Sequence, residues 1–203
     1  MGHKCFISYK KEDKEYRKAV IDLLGQENYI DKSLDRVIDS ENGDYIMQVI
    51  REDYLCDSTV TIFIIGLHSS ENEGTDIYGR DKNYFIKREL QASLFNGKGN
   101  TRNGILGIVL PEMYDYVYKG TYKCSTCGGN HNYVAVNDST VIREFSVNYY
   151  CKPHSGCAWK EEDRYCVLVK WDDFKKSPSI YIDEAFDKRN ADVSDNIKLK
   201  NLR

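Results

Sequence analysis

The chain has 203 residues, a formal net charge of −3, and 41% hydrophobic against 30% charged residues. That balance excludes a disordered polyelectrolyte and gives no bulk attraction to nucleic acid, and the length suits one large domain or one domain with an insertion. The N-terminal residues enter a strand-like run without the long apolar core of a signal peptide, and no later segment approaches a membrane span, so the cytoplasm is the expected compartment.

Short β-type runs alternate with helical patterns, which predicts an α/β fold: a central parallel five-stranded sheet flanked by helices. Residues 4–9 are the first strand. Tyr16, Ala19, Val20, Leu23 and Leu24 then recur at helical spacing, with Asp13 as a candidate cap and Gly25 as the stop. Residues 36–39 read as a short second strand, followed by a polar loop over 40–43 and a helix that turns Ile46, Val49 and Ile50 inward. Residues 59–65 are almost uninterruptedly apolar, as a strand buried on both faces reads. A helix carrying Phe85, Ile86, Leu90 and Leu94 comes next, then a fourth strand over 104–110 closed by Pro111. A fifth strand at 165–170 precedes a helix that Ser177 and Pro178 open as N-cap and first residue. These patterns divide the chain into a core at 1–111, a Cys-rich insertion without a helix at 112–163, the last strand and helix at 164–190, and a polar tail at 191–203.

Two constellations carry chemistry. Glu89 lies one turn beyond Phe85 on the apolar stripe of its helix, and a carboxylate so placed needs a partner or a task. Open parallel sheets bind ligands beyond the carboxyl ends of their strands, where Ser8, Tyr9 and Lys10 follow the first strand and Gly66, Leu67 and His68 follow the third. There Lys10 or Lys11 can meet phosphates, and Phe6, Tyr9 and Phe85 can face a ring. His68 is either a general base or a surface loop residue. Asp39 and Glu41 either orient a ribose or cap and face solvent. Two glycine-rich runs, residues 97–100 and 128–129, lack the spacing of a phosphate-binding loop and read as turns.

The second constellation sits in the insertion. Cys124 and Cys127 form a C-x-x-C-G knuckle, and Cys151 and Cys157 offer a second pair of ligands for zinc; His154 has two-residue spacing to Cys157, and His131 is a further candidate. Disulfides are the rival account, which a cytoplasmic protein disfavours. Cys5, Cys56 and Cys166 lie in or beside strands and read as small buried hydrophobes.

The run Cys5-Phe6-Ile7-Ser8-Tyr9 with charged residues after it, the strand entry Ser58-Thr59-Val60-Thr61, the run Ile64-Ile65-Gly66 and the aromatic-x-x-x-Glu helix at Phe85 and Glu89 resemble, in this order, the TIR-like family, in particular bacterial TIR domains of Thoeris anti-phage defence. That branch usually carries Trp where Phe85 stands, so the flat apolar wall is kept. The resemblance implies a flavodoxin-like TIR fold, cleavage of NAD+ with Glu89 as the catalytic carboxylate, and conversion of the ADP-ribose part into a cyclic or conjugated signal for a separate effector. It also implies control by self-association or a phage-derived trigger, for which the loop over 40–44 is the expected gate. An ionised Glu89 would stabilise an oxocarbenium-like ribose as the neutral nicotinamide departs. The rival classes are a non-catalytic TIR-like adaptor working through protein contacts and a nucleic-acid sensor using the Cys-rich insert; Glu89 argues against the first and the mild acidity against the second.

Overall fold

Apolar runs of four to six residues become strands because branched and aromatic side chains fit a pleated surface that is covered on both faces. The computed structural model describes residues 2–25, 42–71, 74–75, 82–97, 100–153 and 156–199. In chain order the elements are β1 (Cys5–Ser8), α1 (Lys14–Leu24), α2 (Gly43–Val49), β2 (Val60–Ile65), α3 (Tyr84–Leu94), β3 (Gly104–Val109), α4 (Tyr114–Val117), β4 (Tyr118–Lys123), β5 (Asn130–Val134), α5 (Arg143–Tyr149), β6 (Val167–Lys170), α6 (Trp171–Phe174) and α7 (Pro178–Lys188). Strands β1, β2, β3 and β6 pair in that order, all parallel, and β4 and β5 form a separate antiparallel hairpin.

The protein is therefore α/β with a four-stranded parallel sheet among its described residues, in an order compatible with a flavodoxin-like fold. The strand expected at 36–39 lies outside the described residues, and with it Asp39 and Glu41. Every residue of β2 and β3 is buried, as expected for central strands. Cys5, Ile7, Val60, Ile62 and Ile64 pack with Val20 of α1 and Ile182 and Ala185 of α7. On the opposite face Phe63, Ile65, Ile105 and Val109 pack with Ile86, Leu90 and Leu94 of α3 and Phe145 of α5. A third cluster joins Phe6 to Ile46, Met47, Ile50 and Leu55 and to Ala92 of α3.

Local signals explain several boundaries. Gly25 ends α1 at φ +69°, a conformation that glycine adopts without strain, and its N–H reaches the Ile21 carbonyl at 3.0 Å. Helix α2 continues into a π-helical segment, Ile50–Leu55, that sequence periodicity did not foreshadow. Gly43 and Asp44, expected in a gate loop, are the first residues of α2, while Ser40 and Glu41 lie outside the described residues.

The segment at 112–163 differs from the expected helix-free insertion, because it contains the hairpin and α5. Phe145 and Tyr149, four residues apart, stack with ring centroids 6.1 Å apart and belong to the core of the sheet. Phe145 also approaches Phe63 at 5.7 Å and lies over Gly107, where an added Cβ would meet its Cζ at 2.6 Å. A glycine in mid-strand here makes room for a ring. Among the described residues, no helix is long and apolar enough to cross a membrane.

Candidate functional site

Helix α3 presents Glu89 toward β1. Ser8 is the last residue of that strand, so its hydroxyl stands at the carboxyl end of the sheet, and Ser8 Oγ donates to Glu89 Oε2 at 2.5 Å. Both residues are buried, Glu89 with 5% of its surface exposed. Burial disfavours the charged form and pushes the Glu89 carboxyl up to about 8, against the opposing pull of the Ser8 hydrogen bond. Burial therefore favours the protonated form of the group. Exclusion of solvent outweighs the one hydroxyl that favours the charged form.

A directed chain of hydrogen bonds pins the helix behind Glu89. Asn103 Nδ2 donates to Thr61 Oγ1 at 3.1 Å, Thr61 and Ser93 hydroxyls meet at 2.7 Å, and Ser93 Oγ donates to the Glu89 carbonyl at 2.7 Å. Because the Ser93 hydrogen is already directed at that carbonyl, Thr61 is the donor to Ser93. Tyr165 closes the base of the network by donating to the Asn103 carbonyl at 2.7 Å. The chain ties α3 to β2 and β3 and so positions the backbone that carries Glu89.

The other residues expected at the site are distributed unevenly. Lys10, Gly66 and His68 do lie together at the carboxyl ends of β1 and β2: Lys10 Nζ is 3.5 Å from Glu71, and His68 Nδ1 is 3.3 Å from the same carboxylate. Lys82 approaches Glu71 at 3.5 Å as well. Burial works against the Glu71 charge, but the His68 hydrogen bond and the two lysines hold its carboxyl below the usual range. Asn83 joins this loop to the start of α3 by donating to the His68 carbonyl at 2.9 Å. His68 is exposed and paired with an acid, which suits a loop anchor better than a poised base.

Two aromatic expectations require correction. Phe6 is fully buried beneath α2, since its position in β1 turns it into the apolar cluster with Ile46 and Ile50. Tyr9 packs with the α1 face of the sheet and lies under the Arg17 guanidinium at 5.2 Å, away from the Glu89 face, as strand alternation demands. Phe85 is half-buried at the start of α3, edge-on to Tyr84 with centroids 5.5 Å apart.

Asp13 is a residue of this edge that sequence reasoning took only for a cap. Its side chain makes no capping hydrogen bond; it is buried against Gly66, where an added Cβ would lie 2.6 Å from either carboxylate oxygen. Burial, then Glu112 and Glu12, push its carboxyl up to about 6, while His68 and Lys10 pull it back. The signal that could have found it is the pairing of an acid just after β1 with a glycine just after β2.

The metal candidates form the second centre. Cys124, Cys127, His131 and Cys157 bring their donor atoms within 4.8 Å of one another, a set that could hold a metal such as zinc. Cys151 is not among them. Its thiol is buried in the core and directed at the Val193 carbonyl at 3.8 Å, because Cys151 follows α5 onto the sheet rather than out to the hairpin. His131 takes the fourth place, and His154 lies outside the described residues. Backbone N–H groups of Cys127 and Thr126 direct hydrogen bonds at Cys124 and pull its thiol down to about 6, whereas its neighbour Cys127, burial and Cys124 push the Cys157 thiol up to about 11.

No protein-family model matches the chain, and no solved structure matches it. Its chemistry has to be read from these two centres. Of the remaining cysteines, Cys5 and Cys166 are buried as expected, and Cys56 is half-buried.

Proposed function

We propose that this chain is a TIR-like enzyme that cleaves the nicotinamide–ribose bond of NAD+ and turns the ADP-ribose part into a cyclic or conjugated signal for a separate effector in anti-phage defence. The observation that carries this reading is Glu89, a buried carboxyl held by Ser8 at the carboxyl end of a parallel sheet. The ordered motifs of Cys5–Tyr9, Ser58–Thr61 and Phe85–Glu89 support the same assignment.

In the reaction the bond from the ribose carbon to nitrogen breaks heterolytically, its electron pair goes to the nicotinamide ring, and the ring departs neutral. The ribose is left as an oxocarbenium-like cation, and an oxygen of water or of the ADP-ribose moiety attacks it with loss of a proton to solvent. Glu89 supplies the negative charge that this cation requires. Burial raises the Glu89 carboxyl to about 8 and favours its protonated form, and a cationic ring brought beside it favours the ionised form. The charge therefore develops when the substrate is present, and Ser8 keeps the ionised oxygen oriented. Lys10, already placed against Glu71 at the strand ends, is the candidate for phosphate contact.

Glu89→Gln tests the reading, since it keeps the size and removes the charge. Nicotinamide release from NAD+ should fall by about a hundredfold, the scale of losing one preorganised electrostatic group. Equal release by a folded Gln variant and an active wild type would remove Glu89 from the mechanism. The notion of control by self-association is checked separately, by turnover per protomer across a dilution series with and without lysate of infected cells.

A further inference from the structure

We infer that Cys124, Cys127, His131 and Cys157 form a closed, four-coordinate zinc site that fastens the β4–β5 hairpin to the segment leading into β6. Three of the ligands come from the hairpin itself. Cys124 directly follows β4, Cys127 lies in the turn, and His131 stands on β5 opposite Tyr122. The turn has the geometry of a metal knuckle: Gly128, at φ +70°, donates to the Cys124 carbonyl at 2.9 Å, and Gly129 N–H points at Cys127 Sγ at 3.3 Å. Backbone N–H groups directed at sulfur suit a thiolate that serves as a ligand.

The fourth ligand arrives from 26 residues beyond His131. His131 Nε2 lies 3.2 Å from Cys127 Sγ and 3.2 Å from Cys157 Sγ, so one ring nitrogen bridges the hairpin and the distant segment. Zinc–sulfur bonds of about 2.3 Å and zinc–nitrogen bonds of about 2.0 Å place tetrahedral donors roughly 3.5–3.8 Å apart, within the spread of this cluster. A disulfide would join two sulfurs and leave a third thiol and the imidazole without purpose. Three sulfurs and one imidazole select zinc over the oxygen-loving magnesium and calcium. With all four positions held by protein, the site is structural and leaves no place for a metal-bound substrate.

The site also answers a physical need of this region. The hairpin presents mostly exposed side chains, among them Tyr122 and Tyr133, and two antiparallel strands alone are marginal in water. Closing the loop between His131 and Cys157 lowers the entropy of both segments at once.

The test is elemental analysis of the full chain purified without chelator, with a second readout from cobalt. About one zinc per chain is expected, and cobalt added to the reduced, metal-free protein should give thiolate charge-transfer absorbance and tetrahedral d–d bands. Cys127→Ser combined with Cys157→Ser should abolish both signals. Cys151→Ser should leave both intact, and His131→Cys should keep the metal while shifting the cobalt spectrum toward four thiolates. Absence of zinc together with no cobalt uptake by wild type, a disulfide among these cysteines in protein alkylated at lysis, or loss of metal in Cys151→Ser with retention in the double variant would each overturn the assignment. None of these readouts depends on turnover of NAD+.

Discussion

Glu89 is held by burial and by one hydroxyl from a strand 81 residues away, whereas Cys127 and His131 stand near the surface on a two-stranded hairpin. In the first centre the surroundings do the tuning: they withhold solvent, raise the proton affinity of the carboxyl and position its backbone through α3 and the chain of Asn103, Thr61 and Ser93. In the second the donors themselves organise the surroundings, because little else orders the hairpin tip. A buried polar group inherits its geometry from the fold; an exposed cluster has to supply its own through local turns and shared ligands.

The largest effect that would sharpen this contrast is on turnover. Glu89→Gln should lower nicotinamide release about a hundredfold while circular dichroism and melting show an intact fold. If instead the variant failed by unfolding, burial would be serving stability rather than chemistry.

The pH dependence is the next largest. If the free enzyme needs Glu89 ionised, kcat/KM should rise roughly tenfold per pH unit below about 8 and level off above it, and the Gln variant should lack that limb. Stability should move the opposite way. Burial raises the folded carboxyl to about 8 from its ordinary 4.5, so between these values the native state holds a proton that the unfolded chain has lost, and stability declines as pH rises through this window. Thermal melts of wild type and Glu89→Gln should therefore diverge in favour of Gln toward alkaline pH, by on the order of 1–3 kcal/mol.

Packing at the carboxyl edge should show a moderate effect. Gly66→Ala places a methyl 2.6 Å from both Asp13 carboxylate oxygens and must displace that side chain, with a loss of about 1–3 kcal/mol in a denaturant titration. Asp13→Ala in the same background should recover part of the loss, since it removes the group that collides.

The smallest expected change in the sheet comes from metal removal. Treatment with a strong chelator should speed amide exchange in residues 124–131 and 156–160 while leaving β2 and β3 protected, because the two regions have separate sources of order. Exchange that accelerated equally in β2 would show that the hairpin and sheet unfold as one unit, and the contrast drawn above would fail.

The central strands, α1 with its Gly25 stop, α3 and the Pro178 start of α7 were legible in the sequence because each is long or strongly patterned enough for periodicity and end signals to agree. Helix α5 was not legible: seven residues make fewer than two turns, and the apolar pair Phe145 and Tyr149 cannot alone announce a helix amid polar neighbours. The C-x-x-C-G knuckle was readable, and His131 four residues after Cys127 was in view as a candidate, but spacing could not rank it above Cys151. Only the tertiary structure decided that, by carrying Cys151 with α5 into the core and leaving Cys157 free to approach the hairpin.

The same division holds at Glu89. Sequence alone determined that a carboxyl lies on the apolar stripe of a helix packed on a parallel sheet, since that follows from the 3.6-residue repeat. It could not determine that Ser8 would be the partner, that Phe6 would be buried under α2 and Tyr9 turned to the opposite face, or that burial would raise the proton affinity of the group. Those properties depend on which distant side chains exclude water from one position, and solvent exclusion is a property of the assembled layers rather than of any segment within them.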